Sequence, residues 1–393
     1  MVDPAGLATF GLATVAAAFM AWTIGAGSSG STPFAPAVGA NAIPVMRAGF
    51  LVGLLGFAGA VLQGANVSEA VGSELILNAT LSPVAATVAL LTAATLVAFG
   101  VYTGYPIATA FTVTGAVVGT GLAMGGGPAW AKYQQIGVLW LLVPFVGGFA
   151  AYATARWLRG ERAEAQTVPL LAGFVGAVVT NVNFVLLAPG DAAQSMSAAV
   201  ASEVGGPTLP VQAAVTLLVA LAIAAVVRRD VRANGERGLR HVLLALGGLV
   251  AFSAGGSQVG LAVGPLLPLV GDSVPVVYVL AGGGLGLLIG SWTGAPRMIK
   301  ALAQDYSSLG PRRSIAALIP SFLIAQTAVF LGVPVSFNEI IVSAIVGAGF
   351  AAGGSAVSKE KMVKTALAWV GSLALSLAAG FGVFAGVSAL GLA

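Results

Sequence analysis

PIATAFTVTGAVVGTGLAMGG at residues 106–126 and PVSFNEIIVSAIVGAGFAAGG at residues 334–354 read nearly alike, at an offset of about 228 residues. In register, Pro106, Ala116, Val118, Gly119, Gly121, Ala123, Gly125 and Gly126 meet Pro334, Ala344, Val346, Gly347, Gly349, Ala351, Gly353 and Gly354. Helices rich in Gly, Ala and Val resemble one another by composition alone. A shared proline with further identities in step argues instead for a duplicated segment. Weak internal repetition of apolar segments marks the repeat folds of secondary transporters, whose substrate sites lie where the copies meet.

Composition sets the compartment. Hydrophobic residues make up 58% of the chain and charged residues only 8%, against roughly a quarter charged in a typical soluble domain. No charged residue falls between Glu74 and Lys132, room for two spans of about 20 residues each. The expected class is an all-α integral membrane protein. Its 55 glycines suit close helix packing and broken helices. With no cysteine, disulfides, thiolate catalysis and zinc-thiolate sites are excluded. The start, Met-Val-Asp-Pro, lacks a basic n-region and a cleavage signature, so the first apolar run is expected to stay as a span. The net charge of +4 fits a positive-inside bias better than nucleic-acid binding, and no nucleic-acid partner is expected.

Apolar runs predict about 12 spans, at 5–24, 47–65, 80–101, 104–124, 136–155, 167–188, 210–227, 241–270, 275–295, 314–332, 336–356 and 365–391. The basic residues then group. Arg156, Arg159 and Arg162 form one cluster, and Arg228, Arg229, Arg232, Arg237 and Arg240 the largest. Arg297, Lys300, Arg312 and Arg313 form a third, and Lys359, Lys361 and Lys364 a fourth. The loop 189–209 carries Asp191 and Glu203 and no Lys or Arg. Placing all four clusters in the cytoplasm brings Arg47 inside, leaves Lys132 outside, and puts both termini outside a plasma membrane. The loops after the two duplicated segments then fall on opposite sides. That makes the copies inverted, with five spans each: an N-terminal repeat 1–160, a central span pair and basic cytoplasmic loop 161–240, and a C-terminal repeat 241–393. The basic run RRDVRANGERGLRH reads as a hinge loop; it could recruit anionic lipid, but an ordinary cytoplasmic loop is the favoured reading. His241 reads as interfacial, and Arg297 and Lys300 as inside anchors.

Two stretches read as interrupted helices. WTIGAGSSGSTPFAPAVG (22–39) and FSAGGSQVGLAVGPLLP (252–268) set glycine, proline and small hydroxyls inside apolar regions. Irregular backbone at membrane depth survives where it is buried in protein or lines a cavity. Half-helix N-termini offer free N–H groups and a positive dipole end to an anion. Ser28, Ser29, Ser31, Thr32, Gly256, Ser257 and Gln258 are the candidate substrate contacts, joined by Ser336 and Asn338 in the second duplicated segment. The competing reading is that these hydroxyls back-bond to carbonyls in packed helices. GLGLLIG and GGGLGLL lack the strand, lysine and helix context of a nucleotide loop, which disfavours a primary pump. No cluster of histidine or carboxylate suggests a metal site or an enzyme.

These residues resemble the inorganic phosphate transporter (PiT) family. FSAGGSQVGLAVGPL (252–266) looks like its second signature, G-A/S-N-D-V-A-N followed by A-I-G-P. TIGAGSSGSTPFAPAVGANAI (23–43) resembles the first, with about one residue inserted. GANVSEAV (64–71) is similar to its G-A-N-V-T-E segment, and TGAPRMIKAL (293–302) to its G-x-R-V-I stretch. TGYPIATAFTVTGAVVG and LGVPVSFNEIIVSAIVG resemble its two P-V-S-T-T-H-x-x-x-G segments. The resemblance runs in order over about residues 20–375 and implies an inverted-repeat symporter for a tetrahedral oxyanion.

Both signature aspartates are absent; Ser28 and Gln258 stand in their places, with Ser257 and Leu261 where the family has asparagines. Phosphate near neutral pH carries a proton and benefits from a carboxylate acceptor, whereas sulfate does not. The losses resemble a sulfate-permease branch of the family, so sulfate is the favoured substrate, with phosphate the alternative and a passive anion channel a third reading. The same losses weaken the expectation of sodium coupling. A proton is the expected coupling ion, sodium staying open, and no cofactor is expected. Intramembrane acids are functional candidates by default. Glu339 stands where the family's segment has its histidine, with Phe111 in the first copy, and Glu69 falls on the family's glutamate. Glu339 is the better candidate proton carrier; a carboxylate at a span end facing water is the competing reading. Glu69 competes with being an extracellular loop acid. Expected partners are the inorganic anion and membrane lipids, a homo-oligomer staying open.

Overall fold

A computed structural model describes residues 4–160, 163–184, 187, 193–205, 207–271, 274–353 and 357–392. Arg162, Asp191 and Gly354, which entered the sequence reading, lie outside the described residues. The chain is almost wholly helical. In order it forms α1 (Pro4–Gly27), α2 (Ala35–Gly39), α3 (Val45–Gln63), α4 (Ala65–Ser73), strand β1 (Ile76–Leu77), α5 (Pro83–Thr103), α6 (Thr109–Ala123), β2 (Gly127–Pro128) and α7 (Trp130–Trp157). A π-helical turn (Ala163–Thr167) leads into α8 (Val168–Thr180), β3 (Asn183–Phe184), β4 (Gln194–Ser195), α9 (Met196–Val204) and α10 (Thr208–Ala233). The remainder is α11 (Gly235–Val263), a 3₁₀ turn (Gly264–Leu266), α12 (Leu267–Val270), α13 (Val276–Thr293), α14 (Ala295–Gln304), α15 (Pro311–Phe330), α16 (Phe337–Phe350) and α17 (Lys359–Ala389).

Among the described residues nine helices are long and apolar enough to cross a membrane: α1, α3, α5, α7, α10, α11 with its continuation to Val270, α13, α15 and α17. Each of the twelve expected segments holds a helix, but α6, α8 and α16 are shorter, at 15, 13 and 14 residues. At a rise of 1.5 Å per residue such helices reach only about 20 Å, short of a hydrocarbon core of about 30 Å. For α6 and α16 the missing length is irregular backbone. Residues 104–108 and 333–336 are non-helical, and each follows a turn at a positive-φ glycine, Gly104 (φ 76°) and Gly332 (φ 59°). Glycine suits these turns because a Cβ disfavours that conformation, and Pro106 and Pro334 then hold the backbone out of the helix.

The interruption expected at 252–268 is corrected. Helix α11 runs unbroken through Phe252–Val263, and the chain leaves α-helical geometry only at Gly264. Glycines alone do not break a helix that packs closely on its neighbours; Pro265 supplies the stop, having no N–H to continue the ladder. The expected hinge loop at 228–240 is corrected too. It is helical except at Asn234, whose side chain accepts the Arg237 N–H at 2.9 Å and so starts α11. His241 pairs there with Asp230 at 2.7 Å, and the Arg297 guanidinium lies over the Tyr102 ring.

Packing repeats itself along the chain. Helix α1 lies against α5 and α13, and α11 lies against α15 and α3. Helix α6 packs on α5 and α17, and α16 on α15 and α7. Each short helix therefore rests on the helix before it and on a long helix distant in the chain, α17 for α6 and α7 for α16. Small surface details repeat as well. Lys132 pairs with Glu74 at 2.6 Å beside the β1–β2 pairing, and Lys361 pairs with Asp305 at 3.2 Å beside a bridge between Ser307 and Val357. Next to the second pair, the buried Tyr306 hydroxyl meets Thr365 at 2.7 Å.

Candidate functional site

Three irregular segments, the turn after α1 and the lead-ins to α6 and α16, converge on a buried polar cluster around Gln258 of α11. The first is the turn after α1. The Ser28 and Ser29 N–H groups both reach back to the Ile24 carbonyl, at 2.9 and 3.1 Å, ending the helix. The Ser28 carbonyl then accepts the N–H groups of Ser31 and Thr32, each at 3.0 Å, and both of their hydroxyls, at 3.2 and 3.0 Å. The Ser29 hydroxyl points back to Ile24 at 3.4 Å. So Ser29, Ser31 and Thr32 spend their hydroxyl protons on their own backbone, as packed helices commonly arrange. Ser28 does not.

Its hydroxyl donates to the Gln258 carbonyl oxygen at 3.0 Å, about 230 residues away in sequence. Thr109, at the start of α6, donates to the same oxygen at 2.8 Å, and the Ser28 and Thr109 oxygens are 3.4 Å apart. The Gln258 amide nitrogen donates to the Val335 carbonyl at 2.6 Å, on the irregular segment before α16. Asn338 completes the ring. Its amide donates to the Gly27 carbonyl at 2.9 Å and to the Ile107 carbonyl at 2.7 Å. Thus the two positions that match the family's aspartates, Ser28 and Gln258, touch, and both duplicated segments close on them. Ser28, Thr109 and Gln258 are fully buried, and Asn338 nearly so.

Three buried polar atoms in this region have no hydrogen-bond partner among the described residues: the Ser257 hydroxyl, Asn338 Oδ1 and Glu339 Oε2. A buried polar atom without a partner costs roughly 1–3 kcal/mol, more if charged, which makes such atoms candidates for ligand contact. Ser336 caps α16 by accepting the Glu339 N–H at 3.5 Å. Glu339 sits in the first turn of α16 with 1% of its surface exposed. The first-turn N–H groups of α6 and α16 lack intrahelical acceptors by construction, so the free N-termini near the cluster are theirs, not those of 22–39 and 252–268. Gly256 faces away toward Gln63, whose Cβ would stand 2.8 Å from any Cβ at Gly256. Glu69 is exposed on α4 and joins none of these contacts.

A model of the phosphate transporter family matches residues 24–380. The chain belongs to the phosphate transporter family. Its relatives include a protein of Thermococcus kodakarensis described as a phosphate permease, 26% identical over 377 residues, covering 89% of this chain and 90% of the relative. A similar one from Pyrococcus furiosus is 26% identical over 374 residues, covering 89% of each. Inorganic phosphate transporter 2-1 of Arabidopsis thaliana chloroplasts is 25% identical over 406 residues, covering 90% of this chain and 68% of the relative. The solved structure of a sodium-dependent phosphate transporter superposes with a TM-score of 0.80 at 21% identity, covering 98% of this chain and 100% of that one. Family membership makes the chain a multi-pass membrane transporter for an inorganic anion.

Within the phosphate transporter family frame, the sequence reading had missed Thr109, Gln63 and Gln326. Thr109 stands three residues after Pro106 as Phe337 does after Pro334. That spacing carried the signal, but aligning on the histidine position drew attention to Phe111 and Glu339 instead.

Proposed function

We propose that this protein is a cation-coupled secondary transporter of inorganic phosphate. Family membership supports an oxyanion. What favours phosphate over sulfate is the hydrogen-bond chemistry: Asn338 Oδ1 and Glu339 Oε2 on α16 are buried acceptors without donors, and the Ser257 hydroxyl on α11 is buried and free to donate. Sulfate at neutral pH brings only acceptors, so these atoms would stay unsatisfied or repel it. Hydrogen phosphate can both accept and donate. The missing signature aspartates, which pointed to sulfate, are offset by an acceptor amide and an acidic residue supplied from α16.

Glu339 is the proposed coupling residue. A carboxylate removed from water with an oxygen unpaired needs either a proton or a metal cation, since an isolated buried charge is costly. The sodium-dependent transporter that shares the fold makes sodium the first ion to test and the proton the second. In the proposed cycle residues 1–160 and 241–393 act as inverted repeats around the central helices, rocking about the fixed cluster so that it opens to each side in turn. The basic clusters would lie in the cytoplasm and the termini outside.

Uptake into proteoliposomes tests this reading. Labelled phosphate should accumulate above equilibrium when a sodium or a proton gradient is imposed, and unlabelled phosphate should compete better than sulfate. Preferential sulfate accumulation would restore the alternative substrate, and flux that stops at equilibration would make the protein a channel.

A further inference from the structure

A cavity of about 580 Å³ opens between α3, α4, α8, α10 and the end of α15. Among the described residues its lining includes five amide side chains, those of Gln63, Asn66, Asn181, Asn183 and Gln326, and no ionisable one. It lies at the opposite end of α8 and α10 from the groove edged by Arg228, Arg229 and Arg232. The side chains of Gln63, Asn66, Asn181 and Gln326 already hold partners in the protein, Asn66 donating to the Val329 carbonyl at 3.5 Å, so the cavity wall is a preorganised set of amides in an otherwise apolar protein.

The hydrogen bonds give the cavity a floor and a direction. Gln63 donates to the Asn183 carbonyl at 2.9 Å; Gln326 donates to Gln63 Oε1 at 3.3 Å and to the Ser253 hydroxyl oxygen at 2.6 Å. Gln63 and Gln326 are 7% and 8% exposed. Ser253 stands on α11 one helical turn before Ser257, so the two hydroxyls share a face. Between them on that face Gly256 carries no side chain and lies against Gln63. The next residue past the unpartnered Ser257 is Gln258, in the buried cluster. Polar groups therefore run from the cavity floor along one face of α11 as far as Ser257; Gln258 turns onto the adjoining face about 100° round the helix, where it joins the buried cluster.

We propose that Gln63, Asn66 and Gln326 form an entry subsite where hydrogen phosphate exchanges water for amide contacts before passing along Ser253 and Ser257 to the buried cluster. The inference rests on the phosphate reading and adds a second binding position and its specificity. Amides present both N–H donors and carbonyl acceptors, which matches an oxyanion that still carries a proton; for sulfate the carbonyls have nothing to receive. The absence of an arginine or lysine keeps the subsite weak, and a site on a conduction path must release what it binds.

The chain has no cysteine, so one introduced thiol reports alone. In reconstituted Asn66→Cys protein, modification by an anionic methanethiosulfonate should be slowed several-fold by phosphate, less by sulfate, and not by sodium chloride. A thiol at Leu209, on an exposed surface, should show no such protection. Gln326→Leu should raise the KM for phosphate about tenfold with kcat little changed, as expected for one lost hydrogen bond to a charged ligand. Unprotected labelling of an Asn66→Cys protein that still transports phosphate overturns the subsite and leaves the function intact, as does an unchanged KM in Gln326→Leu. Protection by sodium alone would make the cavity a cation site and also overturn it. If the wild-type protein neither binds nor moves phosphate, the functional reading fails and the subsite fails with it.

Discussion

The indole nitrogen of Trp140 donates to the Pro334 carbonyl at 2.8 Å, tying α7 to the irregular segment before α16. The same bond occurs once more, from Trp369 on α17 to the Pro106 carbonyl before α6, also at 2.8 Å. Irregular backbone inside an apolar protein must find partners for its carbonyls, and each indole supplies one from a helix distant in sequence. Trp140→Phe and Trp369→Phe keep an aromatic ring, and at Trp140 the stack on Phe111 with centroids 3.9 Å apart. Each should lose about 1–3 kcal/mol, the cost of leaving a buried carbonyl unpaired. Thermal unfolding in detergent should show two similar losses. A silent Trp369→Phe beside a damaging Trp140→Phe would mean the two grips are not equivalent.

Close approach at Gly119 and Gly347 is repeated in the same way. A Cβ at Gly119 would overlap the Leu377 carbonyl oxygen on α17, and one at Gly347 the Gly148 carbonyl oxygen on α7. Alanine at either position forces a packed helix pair apart, expected to cost about 1–3 kcal/mol. Gly382, with open space where its Cβ would be, is the control. Size-exclusion profiles after mild heating should separate Gly119→Ala and Gly347→Ala from an unaffected Gly382→Ala.

Gln258→Asp puts back the carboxylate that the family resemblance expects at this position. The Ser28 and Thr109 hydroxyls already aim at the residue's side-chain oxygen, so an aspartate arrives with donors in place. A negative charge there should favour a bound cation. The expected outcome is phosphate uptake that rises more steeply with sodium concentration than in the wild type. Equal sodium dependence in the two proteins would show that this position does not hold the coupling ion.

The paired lysines should act on rate more than on stability. Lys132 bonds Glu74 and also donates to the Gly332 carbonyl at 3.3 Å; Lys361 bonds Asp305 and lies 4.3 Å from the Tyr105 ring centroid. Each thus clasps the turn preceding a short helix. The acidic partners are 48% and 43% exposed, so either ion pair contributes at most about 1 kcal/mol. Lys132→Met and Lys361→Met should leave unfolding temperatures nearly unchanged while altering the turnover of phosphate exchange. Wild-type turnover in both would make the clasps incidental.

What could be read from sequence depended on whether the signal was local. The two irregular lead-ins to α6 and α16 were legible because proline and glycine at fixed spacing have backbone consequences: Gly104 and Gly332 turn the chain, and Pro106 and Pro334 keep it extended. The Ser28–Gln258 pairing was legible as two polar stretches in an apolar chain, and they meet. The helix break was misplaced because FSAGGSQVGLAV was weighed by composition, while its backbone stays helical against α3 and α15. Gln63 and Gln326 left no local mark at all. Each is a single amide at a helix end, and only the fold brings them together beside Ser253.

The proposed coupling role of Glu339 makes it the residue on which concentrative transport should depend. Its carboxylate is buried in the first turn of α16 with Oε2 unpaired, next to Asn338, which joins the cluster through Gly27 and Ile107. Glu339→Gln preserves size and the capping contact from Ser336, and removes only the charge that a cation must neutralise. Exchange of internal for external phosphate requires no net movement of the coupling ion and should persist in this variant. Gradient-driven accumulation should vanish. Measuring both in the same vesicles separates a coupling defect from a folding defect, since a misfolded protein would lose exchange too. Accumulation at the wild-type level in Glu339→Gln would remove the residue from the coupling step and leave its buried, unpaired oxygen without a functional account.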